Sequence, residues 1–252
     1  LGDYDVVAKQ SGVAVQTFSN LSGAQTITFS NGSGIYTLEV TPKPTNGFNK
    51  IRFADAGDKL KLIDIKRFGN IAWSSFERSF HGCSNLTGTF NDTPNLTNIT
   101  DLIQTFRGAS VFNGDVSNWD VSNVNNMVLT FFQASQFNQN IGSWNVSNVT
   151  TMQNMLFSAT SFNQNIGSWD IINITNFSGF LNAVTLSTAN YDALLIGWEA
   201  TLQATYPNGS GYTPTISFSG GSSQFTSGGA AETARTSLIN NFNWTITDGG
   251  AV

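Results

Sequence analysis

The sequence predicts a β-rich solenoid, and three observations carry that prediction. A Phe-Asn pair, a Trp and a branched aliphatic residue return every 25 residues: Phe112-Asn113, Trp119 and Val121, then Phe137-Asn138, Trp144 and Val146, then Phe162-Asn163, Trp169 and Ile171. Apolar columns run at the same spacing, as in Leu96/Val121/Val146/Ile171, Ile99/Val124/Val149/Ile174, Leu102/Met127/Met152/Phe177 and Phe106/Phe131/Leu156/Leu181. Within a repeat, Asn118-Trp119-Asp120-Val121-Ser122 alternates polar and apolar, which is the two-residue period of a strand. Coils joined through such strands would share a parallel sheet, with equivalent residues about 4.8 Å apart.

Residues 1–58 carry β-rich runs at Val13–Phe18, Ala24–Phe29 and Gly34–Val40, separated by turns such as Ser30-Asn31-Gly32. They read as an N-terminal cap or a small β-sandwich piece. Residues 59–186 read as five coils, the first reached by a 26-residue step that places Phe68, Trp73, Phe76 and Phe80 on the columns. In each coil Val124-x-x-Met127-x-x-x-Phe131 and its equivalents have the spacing of a short helix or 3₁₀ turn, placed opposite the strand. Residues 187–252 read as an αβ capping region. There Asn190 caps a helix with Tyr191, Leu194, Leu195, Trp198 and Leu202 on one face, followed by a strand at Thr215–Phe218, a helix near Ala230–Ile239 and a strand at Trp244–Thr247.

One repeat cannot order itself. Fixing each residue costs on the order of 1–2 kcal/mol of backbone entropy, while each large apolar side chain returns about 1.5–3 kcal/mol on burial. Neighbouring repeats must therefore bury one another.

Charged residues make up 11% of the chain, against about 25% in an average domain, so solubility rests on neutral polar groups. All six lysines lie between Lys9 and Lys66, and from residue 108 onward seven acids face the single cation Arg235. Such a surface repels phosphate backbones, which argues against nucleic acid as a partner. No run approaches the roughly 18 apolar residues of a membrane span, so membrane insertion is not expected. The chain opens at Leu1 with neither an initiator Met nor a signal peptide, as expected of a processed product or a segment of something longer.

His81 and Cys83 are the one pair that invites metal or nucleophile chemistry. Cys83 falls in the column of Ala109, Ala134 and Ala159, where a small buried residue is needed, and zinc wants about four ligands. Asp115 and Asp120 resemble the paired carboxylates of a glycosidase, but their columns continue as Asn140/Asn165 and Asn145/Asp170. Those positions ask for a small polar residue, not an acid. The chain thus reads as no enzyme, with no cofactor and no metal. Asn123, Asn148 and Asn173 read as amides bonded to backbone at a bend.

The motifs resemble the BspA-like, leucine-rich-repeat-related bacterial surface proteins. The residues that carry the resemblance are Phe112-Asn113, Trp119-Asp120-Val121-Ser122-Asn123-Val124, Met127 and Phe131, the run Trp144–Val149, and the flanks Leu62–Gly69 and Ala189–Trp198. It covers about residues 60–250 and implies leucine-rich-repeat-like coils and a secreted or cell-surface location, with adhesion attributed to some members.

The functional expectation is a non-enzymatic bacterial cell-surface or secreted adhesion module. It would bind a protein or glycan on another cell, host or matrix through the repeat face. The residues that strand alternation turns outward are Asn118, Asp120, Ser143, Asn145, Ser168 and Asp170. Alternatives are a structural spacer or subunit of a larger surface appendage, and a carbohydrate-binding attachment to a secreted hydrolase.

Overall fold

A computed structural model describes residues 4–22, 35–42 and 49–252. The chain divides into two units, Leu1–Lys50 and Ile51–Val252. In the first, strand β1 (Tyr4–Gln10) is central, with β2 (Val13–Leu21) and β3 (Thr37–Pro42) antiparallel on either side. Ser11 and Gly12 join β1 to β2 with φ of 49° and 81°, the left-handed pair that suits a two-residue hairpin. The expected runs at Val13–Phe18 and Gly34–Val40 fall largely on β2 and β3. Ala24–Phe29 and the Ser30–Gly32 turn lie outside the described residues. Sequence patterning did not single out β1, although Tyr4, Val6 and Ala8 are buried on alternate positions.

In the second unit the predicted fold class is corrected. The β-rich solenoid with a continuous parallel sheet is not what the residues build. Among its described residues the regular elements are a two-stranded parallel sheet of β4 (Ile216–Ser219) and β5 (Trp244–Thr247), helices α1 (Thr188–Thr205) and α2 (Ala230–Asn240), and short 3₁₀ turns at Lys59–Lys61 and Pro207–Gly209. This is a mixed α/β arrangement. From residue 62 to 187 there is neither strand nor helix, only turns and isolated bridges such as Asp101↔Asn126, Asn126↔Thr151 and Thr151↔Asn176.

Backbone bonding explains the difference. The expected strand around Trp119–Val121 is broken by turns, because the Trp119 amide donates to Val116 O at 3.1 Å and the Val124 amide to Val121 O at 2.9 Å. The expected short helix or 3₁₀ turn over Val124–Phe131 is interrupted at Leu129, whose φ of 59° no right-handed helix admits, and Gln133 just beyond it has φ of 58°. Here the amides alternate in direction. Those of Met127, Leu129, Phe131 and Gln133 donate to the carbonyls of Thr151, Gln153, Met155 and Phe157 in the next repeat, at 2.7–3.0 Å. Those of Thr130, Phe132 and Ala134 turn back to Met127, Leu129 and Phe131 at 3.0–3.4 Å. Spacings of three and four residues therefore arise without a helix.

The apolar columns do pack. Phe106 and Phe131 stack at 5.6 Å and 2°, Phe112 and Phe137 at 6.3 Å and 8°, and Phe137 and Phe162 at 6.0 Å and 4°. Buried indoles are bonded too: Nε1 of Trp144, Trp169 and Trp198 donates to the carbonyls of Val116, Ile141 and Ile166, each at 3.0 Å. Helix α1 thus delivers Trp198 into the tryptophan series. Its buried face is Tyr191, Leu194, Leu195, Trp198 and Leu202, as patterned, but its cap is Ser187 and not Asn190.

Beyond α1, the Leu181 amide donates to Ser219 O of β4 at 3.2 Å, and β4 pairs in register with β5. Arg235 of α2, the one cation after Arg107 in sequence, donates from Nε and a terminal nitrogen to Asp248 at 2.8 and 3.2 Å. Tyr191 Oη donates to the same carboxylate at 2.8 Å, tying α1, α2 and the segment after β5 to one buried acid.

Trp144→Ala removes a buried indole with neighbours on both sides and should cost about 3–5 kcal/mol by chemical denaturation. Asp120→Asn, at an exposed position where the next repeat already uses Asn145, should stay within about 0.5 kcal/mol. The reverse ranking would overturn the inside/outside assignment.

Candidate functional site

Asn118, Asp120, Ser143, Asn145, Ser168 and Asp170 are all exposed. They occupy equivalent positions of three successive repeats, Asn118, Ser143 and Ser168 on turns and Asp120, Asn145 and Asp170 in irregular backbone, none of them on a strand. Several of their atoms are committed to the fold. Asp120 Oδ1 accepts from the Ser122 amide and hydroxyl at 3.1 and 2.6 Å, and Asn145 Oδ1 accepts from those of Ser147 at 3.2 and 2.7 Å. Asp170 accepts from the Ile172 amide alone at 3.1 Å, because isoleucine replaces the serine there. Ser143 and Ser168 hydroxyls donate to Ser117 O and Gly142 O at 3.4 and 2.9 Å. Beside these bonds Asp120, Asn145 and Asp170 remain exposed residues.

The asparagine column is structural, as the sequence suggested. Nδ2 of Asn123, Asn148 and Asn173 donates to the carbonyls of Thr97, Ser122 and Ser147 at 2.7–3.1 Å. A second ladder went unread. Asn113 Oδ1 accepts from the Asn138 amide and Gln139 Nε2, Asn138 Oδ1 from the Asn163 amide and Gln164 Nε2, and Asn163 Oδ1 from the Ser187 amide and Asn190 Nδ2, at 2.8–3.1 Å. Its signal was visible in the repeated Phe-Asn-Gln of 137–139 and 162–164.

Where this ladder meets Ser143 and Ser168 there is a shallow depression of about 500 Å³, lined also by Asn140, Asn165, Gln164 and Asn190. No formal charge lines it. A different surface feature, also unread in the sequence, is a half-buried column in which Phe132 and Phe157 stack at 4.8 Å and 20°, with the Arg107 guanidinium 5.2 Å from the Phe132 ring.

The titratable groups are held by the fold. Hydrogen bonds from Ser117 and Ser122 hold the Asp115 and Asp120 carboxyls below the usual carboxylate value. Cys83 is buried with Ala109, Ala134 and Ala159, and burial pushes its thiol up to about 12. Burial lowers the pKa of His81 as well. Among the described residues no three of His, Cys, Asp and Glu converge as a metal-ligand set.

Two predictions follow from these environments. A depressed carboxyl pKa stabilises the folded state above the unfolded value of about 3.9, and that stabilisation is lost as pH falls through the folded value. The thermal midpoint should therefore drop as pH falls below about 4, and Asp115→Asn with Asp120→Asn should flatten the drop. Cys83 should resist Ellman's reagent at pH 8 in the native protein and react at one equivalent in denaturant; native reactivity would contradict its place in the core.

Residues 74–193 match the family model described as "Mycoplasma protein of unknown function, DUF285". No curated protein and no solved structure matches the chain. The matched stretch holds the clearest repeats, all six strip residues and the start of α1.

Proposed function

We propose that this chain is a non-enzymatic recognition module of a bacterial cell surface or secreted protein, binding a protein or glycan through the exposed polar face of its repeats. The observation that carries the reading is that Asn118, Asp120, Ser143, Asn145, Ser168 and Asp170 recur as exposed polar side chains at equivalent positions of three repeats. A repeated, uncharged-to-weakly-acidic surface on a tightly packed support suits recognition of an extended partner. The family match over 74–193 is compatible with the surface-protein part of this reading, since that family is associated with BspA-like repeat surface proteins.

Catalysis is a poor fit to the acids on this face. A general acid needs a raised pKa near its working pH, and Asp115 and Asp120 are shifted the other way. With two formal charges among the six residues, neutral hydrogen bonds carry the binding.

Lysine at 118, 143 and 168 together should abolish binding in a screen against matrix proteins and glycans while the thermal midpoint stays near that of the parent. Affinity should change less than about tenfold between low and physiological salt, because few charges are screened. A partner that still binds the triple variant uses another surface.

A further inference from the structure

The depression beside Ser143 and Ser168 has its amide groups locked in known directions. Asn140 Oδ1 accepts from the Gly142 amide at 3.0 Å, and Asn165 Oδ1 from the Gly167 amide at 2.9 Å. Each of these asparagines therefore turns its NH₂ group outward. Gln164 and Asn190 are locked the opposite way. Gln164 Nε2 donates to Asn138 O and Oδ1 at 3.0 and 2.8 Å, and Asn190 Nδ2 donates to Asn163 O and Oδ1, both at 2.9 Å. Their carbonyl oxygens are left as acceptors. None of the four amides can flip without setting N–H against N–H or C=O against C=O.

The lining thus offers two amide donor groups and, with the Ser143 and Ser168 hydroxyl oxygens whose protons already point at backbone carbonyls, four acceptors. A carboxylate or phosphate only accepts and would meet those acceptors unfavourably. An ammonium only donates and would leave both amide groups unmatched. A sugar hydroxyl does both, donating one hydrogen bond and accepting others.

We infer that this depression is a subsite for a neutral saccharide, its amide donors reading hydroxyl oxygens and its carbonyl and serine acceptors reading hydroxyl protons. This rests on the recognition reading above and narrows it to one ligand class. The site spans two repeats and α1, so it exists only where the asparagine-glutamine ladder meets the helix.

The fold itself supplies a clean test. Asp115 occupies the column of Asn140 and Asn165, and its Oδ1 accepts from the Ser117 amide at 3.0 Å in the same way. Asn140→Asp with Asn165→Asp therefore keeps the turn bonds while replacing both outward donors with acceptors and adding two negative charges. Biotinylated protein, tetramerised on streptavidin, would be applied to an array of neutral gluco-, manno- and galacto-oligosaccharides with sialylated and sulfated counterparts, and to a panel of matrix proteins. Binding to a neutral oligosaccharide, weakened at least tenfold in a double variant that melts within a few degrees of the parent, is the expected result. Isothermal titration with the free oligosaccharide would check it without avidity. Neutral-glycan binding unchanged by the double variant, or binding confined to acidic glycans or to a matrix protein, would overturn the saccharide subsite and leave the recognition reading standing. Silence on every array would remove both.

Discussion

The structure of the repeat segment depends on backbone amides that alternate between two partners. At Met127, Leu129, Phe131 and Gln133 the amide leaves for the next repeat, and at the residues between it returns to its own turn. This satisfies the backbone without a strand or a helix, which a buried segment must do by some route. It demands left-handed residues at fixed places, and the same positions recur: φ is positive at Arg78, Gln104, Leu129, Asn154 and Gly179, and again at Gly82, Gly108, Gln133, Ser158 and Ala183. For Leu129 that conformation costs roughly 1–2 kcal/mol, so it persists only because bonds to both sides over-determine it.

Side-chain packing follows from that backbone. Phe112, Phe137 and Phe162 stack ring over equivalent ring, and the indoles of Trp144, Trp169 and Trp198 each find a carbonyl of the repeat before. Trp119 departs from this pattern: its Nε1 has no acceptor, and its ring packs edge-on against Phe68 at 5.5 Å instead. The series is irregular where Pro94 stands 25 residues before it in place of a tryptophan. At the other end α1 substitutes for a repeat, lending Trp198 to the indole series and Asn190 to the amide ladder.

What was legible in the sequence was burial, and what was not legible was hydrogen bonding. Trp119 and Val121 are inside and Asn118 and Asp120 outside, as the alternation said. Yet alternation measures only which face is wet, and a chain of tight turns can alternate as well as a strand can. Met127 and Phe131 are likewise core residues, but three- and four-residue spacing could not tell a helix from turns that reverse at Leu129. The fold class was misassigned for that reason. Strand β1 escaped notice because Asp5 and Lys9 interrupt a short apolar run, whereas α1 was plain because five large apolar side chains share one face of an 18-residue helix.

The candidate surface was half legible for a related reason. Outward positions could be listed from the repeat, but which atom of each amide remains after the fold has used the other depends on partners 25 or 26 residues away. The ladder that ties Asn113 to Asn138 to Asn163 uses neutral amides where charged groups would repel one another at such short spacing. A chain with 11% charged residues is what this architecture requires, because every repeat places the same side chain beside its own copy. Neutral groups tolerate that self-proximity and bond to each other through it. The polarity that builds the ladder is then the polarity presented to solvent, so the surface inherits its hydrogen-bonding pattern, donor by donor, from the bonds that hold the repeats together.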